Sequence, residues 1–465
     1  MKHDIETHPM SWRSLLYRGS PGSTNVVLVL LGLALLFLSR HLAVEFDTFV
    51  IGYSETSTCA LAVSLAAGLV VWTQPTDRRS FWIIVGTALL CRLALLTPEP
   101  HLSSDIYRYV WDGYVQHHGI NPYRYFPGNE HLRWLQEDDI FPYINRRDYA
   151  PTIYPPVAQM LFWIATWFSP TLTLMKLTMY ALEGVTVFAL ANMLEQMGRR
   201  REEVILYAWS PLCIWEFGSS GHLDAALIAA VCLALLFRLR DRPWLTGFAL
   251  GAAVMIKFYP LLLFPALWKR RDWRMPAAVV SVIVAGYAVY SSVGMKVFGF
   301  AGGYAAEEGM DSGTRYFLLE AARHVPGFRG LGTPAFLAFC AAVFLPLMLW
   351  CWRASQMPGT AFLRPAAALA FALMLLFSPH YPWYVAWLLP FLVLLPELPG
   401  IVYVYSVFYW LTTQYAEPGP KMFHANSWTY GASAVALLLW LLWRKYRGSL
   451  HLPLPWRAVT SEAAR

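Results

Sequence analysis

The architecture is set by residues 244–268, WLTGFALGAAVMIKFYPLLLFPALW, which lie between two clusters of basic residues. A run of this length is long enough to cross about 30 Å of hydrocarbon as a helix. Basic clusters mark cytoplasmic loops, so a segment that joins two of them must enter and leave the membrane on the same side. The interruption Lys257-Phe258-Tyr259-Pro260 is the place to turn, because proline breaks a helix. We therefore predict two short helices, and a break that lines a protein cavity.

The same apolar character extends over the whole chain. Of its 465 residues, 57% are hydrophobic and 14% are charged, which leaves too few polar side chains to cover a water-soluble globule of this size. Apolar runs of roughly 15 to 25 residues recur from one end to the other. We predict an all-α, polytopic integral membrane protein, with one domain over residues 1–465 and about 12 to 14 transmembrane helices.

The net charge of +7 does not indicate nucleic-acid binding. The basic residues form short clusters between the apolar runs, which is the pattern of cytoplasmic loops. The six cysteines fall inside or at the edge of apolar runs and form no CxxC pair. They are predicted to be small core residues rather than metal ligands.

Counting crossings between the basic clusters predicts the orientation. The first apolar run has no cleavage signal close behind it, so we interpret residues 26–73 as a retained helical hairpin. Both termini are predicted to be cytoplasmic in a multi-pass protein of the inner (plasma) membrane, with extracytoplasmic loops at 98–155 and 294–333. The count leaves one crossing too many before the cluster at Arg199. We therefore interpret 157–168 as interfacial or re-entrant.

The candidate site residues are ionisable or aromatic groups predicted near the outer membrane surface. Ionisable groups next to hydrocarbon are costly and usually face a cavity or a partner. The candidates are Asp105, Arg108 and Asp112 in SSDIYRYVWDG, His222 and Asp224 in GHLD, Lys257 and Tyr259 in IKFYP, and His380 and Tyr381 in SPHYP.

Asp105, Arg108 and Asp112 are spaced i, i+3 and i+7, so on a helix they share one face. Two interpretations of this face stay open. It is either the solvated surface of an amphipathic helix, or a general base with a cation beside it that lowers its pKa or binds phosphate.

The GHLD and IKFYP motifs also have two interpretations each. Asp224 either caps the following helix, since Asp is a favoured N-cap residue, or pairs with His222 at a metal ion. No further ligands follow at regular spacing, so no metal and no other cofactor is predicted. Lys257 either extends to the membrane surface or faces a site, because a lysine between apolar segments is seldom there for packing alone.

Two pairs of adjacent carboxylates, Asp138-Asp139 and Glu307-Glu308, lie in the predicted outer loops. Adjacent residues diverge on a helix, so neither pair is expected to act as a unit. We interpret both pairs as solvating their loops.

Six segments, in order, resemble the C-type glycosyltransferase superfamily, and within it the bacterial polyprenol-phosphate-mannose-dependent mannosyltransferases. The resemblance covers most of the chain after Phe81. The hairpin at 26–73 departs from the simplest family layout and is interpreted as an added pair of helices. The segments are CRLALL (91–96), SSDIYRYVWDGYVQHHGINPYRY (103–125), TIYPPVAQMLF (152–162), EFGSSGHLDAALIA (216–229), GAAVMIKFYPLLLFPALW (251–268) and SPHYPWYVAWLLPFL (378–392).

The resemblance implies a membrane glycosyltransferase that moves a hexose, with mannose expected. The donor would be a polyprenyl-phosphate sugar and the acceptor a glycan or glycolipid on the extracytoplasmic side. An acidic residue in the first large outer loop is then the catalytic base, and Asp105 occupies that place, with Asp112 on the same face. A lipid-borne donor suits a compartment without nucleotide sugars, and its phosphate leaving group requires cations or donors.

The remaining candidates are assigned to substrate binding. Arg108, Lys257 and His380 are the predicted phosphate contacts, and His222, Asp224, Tyr259 and Tyr381 complete the predicted binding set. Four aromatic residues are predicted to stack on sugar rings, namely Tyr107, Trp111, Tyr123 and Tyr154.

Two other functions stay open. A transporter or flippase for a lipid-linked or small polar substrate would also have discontinuous helices and buried ions. It is disfavoured by the lack of a detectable internal repeat and by the large aromatic outer loop. An oligosaccharide polymerase or ligase would share the outer loops, but its donor would be a lipid-linked oligosaccharide.

Overall fold

The computed structural model describes residues 19–44, 52–100, 102–416 and 422–450. Every regular element within these ranges is helical, which confirms the predicted all-α class. The α-helices of the first half are α1 (Pro21–Val44), α2 (Tyr53–Thr73), α3 (Arg78–Ala94), α4 (Asp105–His117), α5 (Pro156–Ala165), α6 (Leu172–Gln196), α7 (Ile205–Ala208), α8 (Pro211–Cys213) and α9 (Asp224–Leu239).

The second half continues in the same way. Its α-helices are α10 (Pro243–Val254), α11 (Phe264–Leu267), α12 (Arg274–Val289), α13 (Ala301–Glu307), α14 (Phe317–Arg323), α15 (Thr333–Ser355), α16 (Leu363–Phe377), α17 (Leu389–Leu394), α18 (Leu398–Ala416) and α19 (Met422–Leu450). Short 3₁₀ segments lie at Glu130–Leu135, Phe141–Tyr143, Arg201–Val204, Tyr259–Leu263, Ser291–Phe298 and Pro382–Leu388, and a π-helical turn lies at Ile214–Ser219.

Four helices in the described ranges, α1, α2, α6 and α15, are each long and apolar enough to cross a membrane. The bent pair formed by α12 and the following segment would add a fifth, with a bend of 113°. Shorter apolar helices include α5, α10 and α16. These helices agree with a polytopic membrane protein, whereas the count of about 12 to 14 crossings stays a prediction.

The segment 244–268 is broken where its proline predicts. Helix α10 ends at Val254, and the chain resumes as a 3₁₀ segment only at Tyr259. The freed carbonyl of Met255 accepts hydrogen bonds from the backbone N–H groups of Val157 (3.1 Å) and Ala158 (3.3 Å) at the start of α5. A backbone group released by the break is thus satisfied by protein, as membrane burial requires.

Helix α5, which supplies those N–H groups, lies in the run predicted to be interfacial or re-entrant. It has 10 residues, or about 15 Å at the rise of an α-helix, so it does not reach across the hydrocarbon. Large apolar side chains are exposed at its end and just after it, and most of them are aromatic: Trp163 is 36%, Ile164 59%, Trp167 57% and Phe168 91% exposed. Tryptophan in such a position is typical of the boundary between headgroups and hydrocarbon.

Helix α9 separates two chemically different ends of the molecule. It begins at Asp224, among the predicted site motifs, and it ends about 24 Å away in a region rich in arginine. Basic clusters from separate loops therefore gather at the end opposite to the site motifs. Their arginines donate to backbone carbonyls of other helices: Arg199 to Val393 and Leu394, Arg200 to Val71 and Gln74, and Arg238 to Ser355.

A buried ion pair joins α3 to α6. The guanidinium of Arg92 donates to both carboxylate oxygens of Glu183, at 3.0 and 2.7 Å, and to the carbonyl of Ala208 at 2.8 Å. About two turns earlier in α6, the Lys176 ammonium donates to the carbonyl of Leu95 at 3.0 Å, where α3 has just ended. These contacts fix the point from which the chain enters the first large loop.

We predict that the Glu183→Leu variant is less stable than the wild type by about 3 to 5 kcal/mol, because Arg92 would stay buried without its counter-charge. The double variant Arg92→Met/Glu183→Leu should recover most of this loss, since it removes both charges. Unfolding in detergent by heat or denaturant measures both effects.

The matched control is Glu195→Gln on the same helix, where the carboxylate is 57% exposed and contacts Arg201. This change should alter stability by less than about 0.5 kcal/mol. A Glu183→Leu variant as stable as Glu195→Gln would show that the buried pair does not hold α3 and α6 together.

Candidate active site

Side chains from the four predicted motifs meet at one end of the helices. One carboxylate oxygen of Asp105 lies 3.8 Å from Nδ1 of His222, and the His222 ring stacks on Trp383 with 3.8 Å between ring centroids. In the same region the Lys257 ammonium lies 2.6 Å from the carboxylate of Asp224. Residues predicted from distant parts of the sequence therefore form one cluster.

Asp105 is the first residue of α4, and its side chain is 24% exposed. Its other carboxylate oxygen accepts a hydrogen bond of 2.7 Å from the side-chain amide of Asn145. Burial raises the pKa of Asp105, against the lowering effects of the Asn145 hydrogen bond and of the nearby Lys257 and Arg146. A carboxylate that is reachable and has a raised pKa is suited to accept a proton near neutral pH.

Asp224 does not cap α9, so the capping interpretation is wrong. The N-cap residue is Leu223, which makes no side-chain cap. The Asp224 carboxylate instead accepts from Lys257 at 2.6 Å and from the Tyr259 hydroxyl at 3.4 Å, and the Lys257 ammonium lies 4.9 Å from the ring centre of Tyr384. Lys257 therefore turns into the protein at the helix break and does not extend to the membrane surface.

Arg108 and Asp112 are on α4 as predicted, but their face is not solvated. Both are buried and form an ion pair of 2.8 Å. Arg108 also donates to the carbonyl of Ala150 at 3.1 Å, and Asp112 accepts from the Gln159 amide at 2.8 Å. These contacts join α4 to α5 and the loop before it, and Asp112 lies about 10 Å along α4 from Asp105. The structure does not bring Asp112 to the cluster around Asp105.

Glu308 holds the SPHYP turn in place. It is 6% exposed, forms an ion pair with Arg315 and accepts a hydrogen bond of 3.2 Å from the Tyr381 hydroxyl. Nδ1 of His380 lies 3.7 Å from the same carboxylate. Burial and the positive charge of Arg315 lower the pKa of His380 to about 4. This lowering favours the neutral imidazole at pH 7, and a phosphate contact of His380 stays a prediction.

Glu307 joins the second large loop to the first. Its carboxylate accepts from the Arg146 guanidinium at 2.6 Å and from the Tyr149 hydroxyl at 2.9 Å. Tyr304 lies in the same helix, α13, and its hydroxyl is 2.7 Å from that of Tyr384, next to the SPHYP turn. The interpretation as solvating groups is therefore wrong for the buried Glu308, whereas Glu307, Asp138 and Asp139 are exposed as predicted.

The four aromatic residues predicted to stack on sugar rings are buried. Tyr154 packs on Tyr109 and Phe162, with ring centroids 5.0 and 5.5 Å apart, and it is 7% exposed, while Tyr107, Trp111 and Tyr123 are 4%, 3% and 2% exposed. They are core residues of the loop in this structure. The large exposed aromatic residues of the same loop are Trp134, Tyr143 and Tyr149.

Several residues of the cluster were not among the sequence candidates. Glu216 is completely buried in the π-helical turn, with one carboxylate oxygen 3.3 Å from Nε2 of His222. A carboxylate inside an apolar run is a sequence signal that would have found it. The other additions are Asn145, Arg146, Glu308 and Arg315. In the part of the chain that the structure describes, no three His, Cys, Asp or Glu side chains are placed to hold a metal ion.

Gly221 allows the GHLD turn to approach α4 closely. Its φ is +65°, and a Cβ atom there would lie 2.5 Å from Cδ1 of Ile106, the residue after Asp105. Gly119 also has a positive φ, +72°, but a Cβ atom there would have no neighbour within 4 Å. Substitutions at the two glycines can therefore be compared: both would strain the backbone, but only the one at Gly221 would also create a steric clash.

We predict that Gly119→Ala lowers stability by about 1 to 2 kcal/mol, from the left-handed backbone alone. Gly221→Ala should lower it by about 1 to 3 kcal/mol more, because the added methyl group must push Ile106 and α4 away. The unfolding midpoints of the two variants measure this difference. Equal losses would contradict the tight contact between the turn and α4.

A family model described as "Alpha-(1->6)-mannopyranosyltransferase, N-terminal domain" matches residues 16–269, more than half of the chain. The match includes Asp105, the GHLD and IKFYP motifs and the hairpin at 26–73, whereas the SPHYP motif follows it. No curated protein and no solved structure matches the chain. The match confirms the resemblance to membrane mannosyltransferases. Because the match covers more than half of its length, the chain belongs to the MptA_B family of alpha-(1->6)-mannopyranosyltransferases.

Proposed function

We propose that the protein transfers a mannose unit from a polyprenyl-phosphate donor to a glycan or glycolipid acceptor, with Asp105 as the general base. The observation that carries this proposal is the convergence of Asp105, the Asp224–Lys257 pair and the SPHYP turn at one end of the helices. Sugar transfer requires a group that accepts a proton and groups that stabilise the leaving phosphate. Among the described residues, this cluster combines a reachable carboxylate with several cations.

The distribution of charge supports an extracytoplasmic reaction. The arginine-rich loops lie at the opposite end of α9 from Asp224, and arginine-rich loops of membrane proteins face the cytosol. The cluster is then placed outside the cytosol, where neither nucleotide sugars nor ATP is available. A sugar activated by a lipid phosphate is the donor that suits this location, and both termini are then cytoplasmic.

The proposed step moves one proton and one sugar. The acceptor hydroxyl gives its proton to the Asp105 carboxylate, and its oxygen forms a bond to C1 of the donor sugar. The bond between C1 and the phosphate oxygen breaks, and its electron pair leaves with the phosphate. Lys257 and Arg146 are both near enough to Asp105 to lower its pKa. Their charges, with that of Arg315, supply the electrostatic stabilisation that a departing phosphate requires.

A transporter for a lipid-linked substrate is the second candidate. The observation in its favour is the ion pair between Lys257 and Asp224 beside the broken segment that follows α10, since broken helices and ions at membrane depth are typical of transporters. Membership of a mannosyltransferase family favours transfer over transport.

We predict that Asp105→Asn lowers sugar transfer by about 100-fold to 10,000-fold, because the amide does not accept the acceptor proton. Purified protein in lipid nanodiscs would be supplied with a panel of radiolabelled polyprenyl-phosphate sugars, and labelled product would be measured. Mannose is the expected sugar.

Asp139→Asn is the matched control, since it makes the same chemical change on an exposed carboxylate of the same loop. It should transfer sugar at the wild-type rate. Asp112→Asn removes the counter-charge of buried Arg108, so its effect has to be corrected for folded fraction. Transfer that survives Asp105→Asn but is lost in correctly folded Asp112→Asn would move the base to Asp112, and no transfer from any donor would favour the transporter.

The pH dependence of transfer gives a separate prediction. Only the deprotonated form of Asp105 accepts a proton, so kcat/KM should fall as the pH drops through the pKa of this residue. Burial raises that pKa, so the acid limb should lie above about pH 3.9, the ordinary value for Asp. A limb at or below the ordinary value, or one unchanged in Asp105→Glu, would argue against Asp105 as the base.

A further inference from the structure

Three side chains form a row from the exposed edge of the cluster into the protein interior. Asp105 is 24% exposed, whereas His222 and Glu216 are both 0% exposed. Nδ1 of His222 is 3.8 Å from Asp105, and Nε2 on the opposite side of the ring is 3.3 Å from Glu216. The imidazole thus lies between the proposed base and a buried carboxyl group.

The polar atoms of this buried pair have few other partners. Within the described residues, neither ring nitrogen of His222 and neither carboxylate oxygen of Glu216 has a hydrogen bond of good geometry. Two other charged groups that act on this pair, Asp224 and Lys257, are bound to each other. Burying a histidine and a carboxylate in this way is costly, unless each serves the other or the site.

The local backbone is arranged to bring the two groups together. Glu216 lies in the π-helical turn Ile214–Ser219, and π-turns are frequent at functional sites. The backbone N–H of His222 donates to the carbonyl of Glu216 at 3.0 Å. On the other side, the ring of Trp383 lies against the His222 ring with an interplanar angle of 23°, which holds the imidazole in its plane.

We propose that Glu216 and His222 are positioning residues that act through Asp105. A carboxyl group without a cation partner is accommodated in a buried site as the neutral acid. As the neutral acid, Glu216 donates to Nε2 of His222 once their 3.3 Å contact is aligned, which leaves the imidazole proton on Nδ1, facing Asp105. This assignment rests on the proposed function of Asp105 as general base.

The consequence for Asp105 follows from the direction of this hydrogen bond. An Nδ1–H that points at a carboxylate stabilises its charged form, which is the form that accepts a proton. The 3.8 Å separation has to shorten by about 1 Å to give a hydrogen bond, and catalytic hydrogen bonds often tighten only when substrate is bound. Glu216 and His222 therefore favour the charged form of Asp105, whereas burial raises the pKa of that residue and disfavours the charged form.

The test compares the pH profile of sugar transfer in two variants of His222. One removes both ring nitrogens, and the other keeps a hydrogen-bond donor near the position of Nδ1. His222→Phe keeps the ring against Trp383 but removes both nitrogens. Its kcat should fall by about 10-fold to 100-fold with little change in KM, and the acid limb should move up by about one pH unit, because Asp105 loses a donor. His222→Asn keeps a donor near the Nδ1 position and should leave the limb near its wild-type pH.

Glu216 is tested in the same assay. Glu216→Leu removes the group that fixes the imidazole proton, so the limb should move up as in His222→Phe. Glu216→Gln still donates to Nε2 and should keep the wild-type limb, even if the rate is lower. In the His222→Asn background, Glu216→Leu should no longer move the limb, because the link between the two residues is already cut.

The outcomes separate this inference from the proposed function. If the wild type transfers sugar, Asp105→Asn abolishes it and no His222 or Glu216 variant moves the limb, the positioning role is overturned while the base stands. A limb that moves in Glu216→Gln as far as in Glu216→Leu would also overturn it, since an ionised Glu216 would then be needed. If Asp105→Asn transfers like the wild type, the proposed base itself is wrong. Thermal unfolding of each variant separates lost folding from lost positioning.

Discussion

The ion pair between Lys257 and Asp224 is the contact on which the organisation of the candidate site depends. Lysine 257 follows the end of α10, where the membrane segment is broken, and Asp224 begins α9. Neither charge is stable alone when buried, so each fixes the place of the other. Tyr259 and Tyr384 close around the pair. The break, the start of α9 and the SPHYP turn are therefore held in one arrangement.

The loops above this pair are held by carboxylates. Glu307 binds Arg146 of the first loop, and Glu308 binds Arg315 and the SPHYP turn. Two adjacent residues thus point to different partners, which is the divergence that their spacing predicts. Arg146 directly follows Asn145, whose side-chain amide donates to Asp105. The second loop is therefore linked through adjacent residues to the proposed base.

Sequence reasoning succeeded where a local rule decides the structure. Proline is unfavourable inside a helix, so the break at Lys257 to Pro260 was predictable, although α15 continues through Pro346. The helical spacing of Asp105, Arg108 and Asp112 was likewise consistent with the helix α4 that contains them. The count of crossings was less accessible, because many apolar stretches are divided into short helices and 3₁₀ turns that a hydropathy window does not resolve.

Pairing was the part of the site that could not be predicted. Arg92 and Glu183 are 91 positions apart in the chain, and neither segment contains a sequence signal that identifies the other residue as its partner. The capping role of Asp224 and the solvating role of Glu308 failed for the same reason, since each bonding partner comes from a different helix or loop. A single sequence shows that a charge has to be satisfied, and only the tertiary fold shows by which group.

The exposed aromatic side chains at the end of α5 give the proposed reaction a definite depth in the membrane. The same short helix begins beside the carbonyl of Met255, in the broken segment, and ends at Ala165, just before the exposed Trp167 and Phe168. Where these rings settle among the headgroups sets the height of the Asp105 carboxylate above the leaflet. A donor anchored in that leaflet would reach the carboxylate by lateral diffusion, so its surface density, and not a concentration per volume, would govern how often the two meet.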